Sequence, residues 1–165
     1  MTADYFIRHL NLQPHPEGGF FKETYRSSGF IPLHCLPAAF HGDRFYSTAI
    51  YFLLQQNDFS AFHRIASDEC WHFYEGGPLL IHVIDKEGNY SCTRLGRKPD
   101  EGEVLQFVVP AQSWFASEPA PGSGLSLVGC TVAPGFDFAD FEMAKTKELS
   151  EEYPQHQVLI QRLCR

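Results

Sequence analysis

The chain has 165 residues, 44% of them hydrophobic and 15% aromatic; that is the length and core material of one folding unit, so a single domain over residues 1–165 is predicted. Its net charge of −7 offers no broad positive field to phosphates, which argues against nucleic acid as a partner. No apolar run nears the roughly 20 residues that span a bilayer, so no membrane anchor or leader is predicted, and a cytoplasmic protein is expected.

In chain order, Thr2 to Leu12 opens with a threonine or aspartate cap and spaces Phe6, Ile7 and Leu10 as a short helix does. Pro14 ends it, and Pro14-His15-Pro16-Glu17-Gly18-Gly19 propagates neither helix nor strand. Phe20 to Arg26 alternates as a strand, with Lys22, Thr24 and Arg26 predicted on one face and Phe21, Glu23 and Tyr25 on the other. Ser27 to Asp43 carries Gly29, Pro32, Pro37 and Gly42 without a period and reads as a surface loop. Five β-branched and aromatic runs follow: Ser47 to Leu54, Ser60 to Ile65, Cys70 to Tyr74, Leu79 to Asp85 and Tyr90 to Leu95. Two further strands are predicted at Val104 to Val109 and Leu125 to Val132, with Gly96 to Gly102 and Glu118 to Gly124 as connectors. Many short strands at close spacing imply a sandwich or barrel. After Pro134-Gly135, Phe138, Phe141 and Met143 to Leu149 suit a helix, and Tyr153 to Leu163 suits another beginning near Pro154.

Five cysteines, Cys35, Cys70, Cys92, Cys130 and Cys164, contain no CxxC pair. They read as reduced thiols acting as small buried apolar side chains.

The stretch richest in chemistry runs from Ser60 to Gly77. A strand carrying His63 turns at Ser67-Asp68 and returns carrying Glu69, which can bring an imidazole and a carboxylate to one inner face. Such a pair can share a proton, bind a metal, or orient a hydroxyl or carbonyl group. His63, Glu69 and Gly76 fall on the frame of the first cupin motif, and Pro110 matches the proline of the second. Asn57, Ile65, Gln112 and Phe115 stand where the motifs carry Gly, His, Gly and His. The segments His15 to Arg26, Ser47 to Leu54, Glu69 to Phe73 and Val132 to Phe136 narrow the similarity, and the chain resembles the cupin-5 branch of the cupin superfamily over nearly its whole length.

That resemblance implies a mainly β fold, a double-stranded β-helix or jelly-roll barrel, here with a short N-terminal helix and C-terminal helices. It also implies a homodimer, a pocket between the sheets, and kinship with metal-free cupin epimerases of nucleotide-linked deoxysugars. A small polar, sugar-like metabolite is the expected partner, and proton transfer on it the expected chemistry. His63 would be base or acid, Glu69 would orient it or hydrogen-bond the substrate, and Tyr25, Tyr51 and Tyr74 are the candidate phenol acids opposite, Tyr25 first among them. Lys22, Thr24 and Arg26 are candidate ligands for a carboxylate or phosphate, and Trp71, Phe73 and Trp114 for stacking a ring. No cofactor is expected; the rival reading is a metal-dependent oxygenase or isomerase with His63, Glu69 and His72 as metal ligands, although His72, three residues past Glu69 on a strand, should face the other way. A binding module without turnover is the third reading.

Overall fold

The computed structural model describes residues 1–165. Thirteen strands form: β1 (Gln13–Pro14), β2 (Phe20–Arg26), β3 (Phe30–Ile31), β4 (Arg44–Phe45), β5 (Thr48–Gln55), β6 (Ser60–Arg64), β7 (Asp68–Gly76), β8 (Leu79–Ile84), β9 (Tyr90–Leu95), β10 (Gln106–Val109), β11 (Trp114–Pro119), β12 (Leu125–Ala133) and β13 (Glu142–Met143). Three α-helices join them: α1 (Ala3–His9), α2 (Thr146–Glu152) and α3 (Gln157–Leu163). One sheet has the order β1-β2-β5-β12-β7-β10, a second β13-β6-β11-β8-β9, and β3 pairs with β4 alone. This is the expected mainly β, cupin-type jelly roll, with a short N-terminal helix and C-terminal helices. No helix is long and apolar enough to cross a membrane.

Three apolar clusters explain why the strand sequences are so hydrophobic. Between the sheets, Phe52, Leu54, Trp71, Val109, Val128 and Cys130 of the six-stranded sheet meet Leu79, Ile81, Val83, Leu95 and Phe115 of the other. Leu53, Leu125 and Leu127 point out of the six-stranded sheet and are covered by Phe6 and Leu12. Phe62, Ile84, Trp114 and Ala116 point out of the five-stranded sheet beneath Ala144, Leu149, Ile160 and Leu163. A strand buried on both faces reads as a continuous apolar run rather than an alternating one, which is the pattern of Phe52-Leu53-Leu54.

Several local expectations are corrected. The segment from Ser27 to Asp43 is not wholly loop, since Phe30–Ile31 pairs with Arg44–Phe45 and Leu33–Cys35 makes one 3-10 turn. Strand β11 lies in the stretch to which the sequence assigned nothing, running into the connector predicted from Glu118, although it is central, paired with both β6 and β8. The helix expected from Phe138 begins only at Thr146: Asp137 caps a single 3-10 turn, Phe138–Asp140, and Glu142–Met143 then adds to the edge of β6. Of the five cysteines, all free, only Cys130 is buried, and Cys35 and Cys92 are exposed.

Candidate functional site

A cavity of about 170 Å³ opens between the sheets at one end of the barrel. The six-stranded sheet contributes Phe21, Glu23 and Arg26 from β2, Thr48 and Ile50 from β5, Glu69 from β7, and Cys130 and Val132 from β12. The five-stranded sheet contributes His63 from β6, with Ile65 just beyond it. His15 and Glu17 enter from the turn between β1 and β2, and Phe136, Asp137 and Phe138 cover one side.

The turn that delivers His15 and Glu17 depends on its glycines. Gly18 and Gly19 have φ of 116° and 72°, and a Cβ on Gly18 would lie 2.1 Å from the Phe59 carbonyl oxygen; only glycine fits such a backbone so close to a neighbouring strand. The carbonyl of Glu17 accepts the Ala61 N–H (2.8 Å), which fixes the Glu17 side chain beside His63.

His63 is 3% exposed, Glu17 6% and Glu69 8%. His63 Nδ1 lies 2.7 Å from the Ala61 carbonyl oxygen. A carbonyl only accepts, so Nδ1 carries a proton. His63 Nε2 lies 3.0 Å from Glu17 Oε2, so these two atoms share one further proton: a neutral carboxyl donating to the ring, or an imidazolium donating to a carboxylate. Burial pushes the Glu17 carboxyl up, with His15 opposing, and pushes His63 down, with its bond to Ala61 opposing. Both directions favour the neutral form of the pair.

Glu69 faces His63 from the opposite sheet without bonding to it. Burial raises its carboxyl to about 7, His63 opposing and Glu17 adding to the rise. The thiol of Cys130 beside it is held well above its usual range, by burial first and by Glu69 next. The cavity therefore holds Glu69, whose proton exchanges near neutral pH, the range in which general acids and bases work best, facing a His63–Glu17 pair that shares a proton.

His63 and Glu69 thus share one cavity, not on one face of a hairpin as expected but across it, since β6 and β7 belong to different sheets, and the hydrogen-bonded partner of His63 is Glu17. Arg26 also lines the cavity, while Lys22, Thr24 and Tyr25 do not, and Tyr25 is 54% exposed. Lys22 and Thr24 alternate outward from Phe21 and Glu23, and a β-bulge then swaps the next two: Glu23 pairs with Ile50 and Tyr25 with Ala49, so Thr24 is an extra residue, Tyr25 turns outward and Arg26 inward. Trp71 and Phe73 face inward from β7 but are part of, or packed against, the core deeper in the barrel, and Trp114 lies under the helices on the outer side. None of the three lines the cavity.

His72 faces out of the sheet, within hydrogen-bond distance of Thr131 Oγ1 (3.1 Å) and the Gln106 side chain (2.8 Å). His63, Glu69 and His72 therefore do not converge. The positions where the cupin frame places its other histidines hold Ile65 in the cavity wall and Phe115, whose ring packs 4.0 Å from that of His63. Both His63 nitrogens already have partners, and no group of three or more His, Cys, Asp or Glu side chains is arranged to hold a metal ion. The residues do not fit the metal centre of the fold.

One side of the cavity is clamped. Asp140 accepts two bonds from Arg44 (2.5 and 2.6 Å), and both side chains are about 95% buried. Thr48 Oγ1 accepts the Phe136 N–H (2.9 Å), and Ser67 donates to the Pro134 carbonyl (2.7 Å). These bonds hold Phe136 to Phe141 against the barrel. Glu142, next in line, pairs with Arg64 at the surface (2.7 Å).

The family described as Cupin superfamily (DUF985), Cupin_5, matches residues 4–144. A relative in Saccharomyces cerevisiae, the uncharacterized protein YML079W, is 30% identical over 151 residues, covering 86% of this chain and 75% of its own. Among solved structures, a hypothetical protein from Leishmania major has a TM-score of 0.89 at 37% identity, with 99% of each chain covered. Protein SO0799 from Shewanella oneidensis has a TM-score of 0.89 at 41% identity, covering 100% of this chain and 98% of its own. Oxalate decarboxylase from Bacillus subtilis shares the fold at a TM-score of 0.56 and 11% identity, over 91% of this chain and 36% of that one.

Proposed function

The chain belongs to the DUF985 family of the cupin superfamily, and from that premise we propose that it is a small-molecule-binding cupin that moves a proton on a small polar, sugar-like metabolite. The observation that carries the reading is the placement of titratable groups on facing walls: His63, bonded to Glu17, on one sheet and Glu69 on the other. A molecule lying between the sheets meets an exchangeable proton on each of its faces. Epimerisation next to a carbonyl needs that arrangement, one group to take the carbon-bound proton and another to return one from the opposite face.

In the proposed step the Glu69 carboxylate takes the proton, electrons shift onto the carbonyl oxygen, and the His63–Glu17 pair returns its shared proton to the opposite face of the carbon. Exchange with solvent, or the same step run backwards, resets both groups. Glu69 and the His63–Glu17 pair replace the phenol expected from Tyr25, which is outside the cavity. The reaction is proposed to need no metal, because the donor set offers His63 with both nitrogens engaged and lacks a third ligand on the same wall. Stoichiometric iron, manganese, nickel or zinc in the purified protein, with activity lost on chelation, would contradict this.

The test is proton exchange in D2O on a panel of aldoses, ketoses and their deoxy derivatives, followed by NMR at the carbon next to the carbonyl. The wild type is expected to incorporate deuterium into at least one compound that also raises its Tm. His63→Ala and Glu69→Gln are expected to lower that rate by about 100-fold or more while keeping the Tm rise. Binding with no exchange in any bound compound would leave a non-catalytic binding module instead.

A further inference from the structure

We infer that the ligand of this cavity carries a protonated amine, an inference that rests on the reading of the cavity as a site for a small sugar-sized molecule. The charges on the cavity wall can be paired off one by one. The only guanidinium there, Arg26, is taken up by Glu23 through two bonds, Nε to Oε1 at 3.0 Å and Nη2 to Oε2 at 2.6 Å. Glu17 and His63 share a single proton and are jointly neutral. His15 is neutral as well, because its Nδ1 accepts the backbone N–H of Glu17 at 3.3 Å and so carries no proton of its own.

One acid is left without a cation, Glu69; Asp137 is exposed to solvent and lies close enough to Arg26 and Arg44 to favour their charge. Asp137 accepts the Ala139 N–H at 2.9 Å. Glu69 receives no N–H or O–H from the protein; the one group that hydrogen-bonds it is the Cys130 thiol, a weak donor. Its side chain is more than nine-tenths buried and lines the cavity, so unfilled acceptor positions face the space the ligand enters. A buried acceptor without a donor is costly, and a buried carboxylate without a counter-charge more so.

An anionic ligand would meet the Glu69 carboxyl and no free cation. A neutral alcohol supplies a hydrogen bond to Glu69 but no charge; an ammonium group supplies both. The remaining walls suit a cation as well. Phe21 and His15 stand edge to face at 4.6 Å, and Phe136 and Phe138 at 5.0 Å, and aromatic faces attract a cation that has shed part of its water.

The experiment is calorimetric titration of the full chain at pH 7.0 with three sugars sharing one ring: glucosamine, glucose and glucuronate. Glucosamine is expected to bind at least tenfold more tightly than glucose, and glucuronate not at all. That preference should shrink at pH 5.5, where Glu69, surrounded by His63, Glu17 and Cys130, takes up a proton, and the ratio of glucosamine to glucose affinity should fall to about one in Glu69→Gln. Glucuronate binding as tightly as glucosamine, or an unchanged preference in Glu69→Gln, overturns the amine inference and leaves the sugar-sized site standing. Cyclohexylammonium binding where all three sugars fail supports the inference and overturns the sugar reading. If none of the four binds, both are overturned.

Discussion

A carboxyl group kept from water holds its proton to higher pH than one in an unfolded chain, and Glu69 makes that difference measurable. Its ordinary value of 4.5 rises to about 7 in the fold, so between these values the folded state binds more protons than the unfolded one. Stability therefore falls as pH rises from 4.5 through 7, by roughly 3 kcal/mol in total for this group. Glu69→Gln should raise the urea midpoint relative to wild type at pH 8, leave it nearly unchanged at pH 4.5, and flatten the slope between. Some slope should remain, since Glu17 is shifted in the same direction. Identical pH profiles for the two proteins would show that Glu69 is solvated. At this scale His63 and Glu69 were legible from the cupin motif frame but not from strand alternation, because β6 and β7 do not pair as a hairpin: they lie in different sheets, and the two side chains meet across the cavity. Glu17 was not legible: it sits among Pro16, Gly18 and Gly19, which read as a turn and nothing more, and its role depends on a long-range contact with β6.

Among the elements, the segment from Phe136 to Phe141 forms one side of the cavity, and its anchor is the Arg44–Asp140 pair. Removing one partner of a buried ion pair strands the other charge and typically costs about 3–5 kcal/mol. Asp140→Ala should lower the unfolding midpoint accordingly, and amide exchange should speed up first at residues 136–141; unchanged protection there would mean that the Thr48 and Ser67 bonds hold the segment by themselves. The sequence misread this part as helix because Phe138 and Phe141 are spaced three apart, as on a helix face, while both instead pack around His15. The longer strands were legible because they are rich in β-branched and aromatic residues. Strand β11 was not, since Trp114-Phe115-Ala116-Ser117-Glu118-Pro119 is short, mixed, and ends in proline; only its neighbours β6 and β8 make it a strand.

On the scale of the whole molecule, the jelly roll is a sandwich whose two outer faces are both partly roofed, one by α1 and one by α2 and α3. The C-terminal roof therefore contributes to global stability rather than decorating the barrel. Ile160→Ala, at a fully buried position, should cost about 2–5 kcal/mol in chemical denaturation, with a single transition if roof and barrel unfold together. Two separate transitions would show the roof detaching first. The N- and C-terminal helices were predictable from their spacing of apolar residues, but which sheet face each covers was not, because that depends on register.

The bulge in β2 bears on how the barrel tolerates changes in chain length. Ile50, Ala49 and Thr48 stand opposite Glu23, Tyr25 and Arg26, leaving Thr24 supernumerary in the ladder. An in-frame loss of that one codon would straighten the strand and still deliver the guanidinium inward and the phenol outward. Losing a residue from the regular stretch on either side while the bulge persists would invert that parity, so two deletions of equal size, a few codons apart, are expected to differ between a working pocket and one turned inside out.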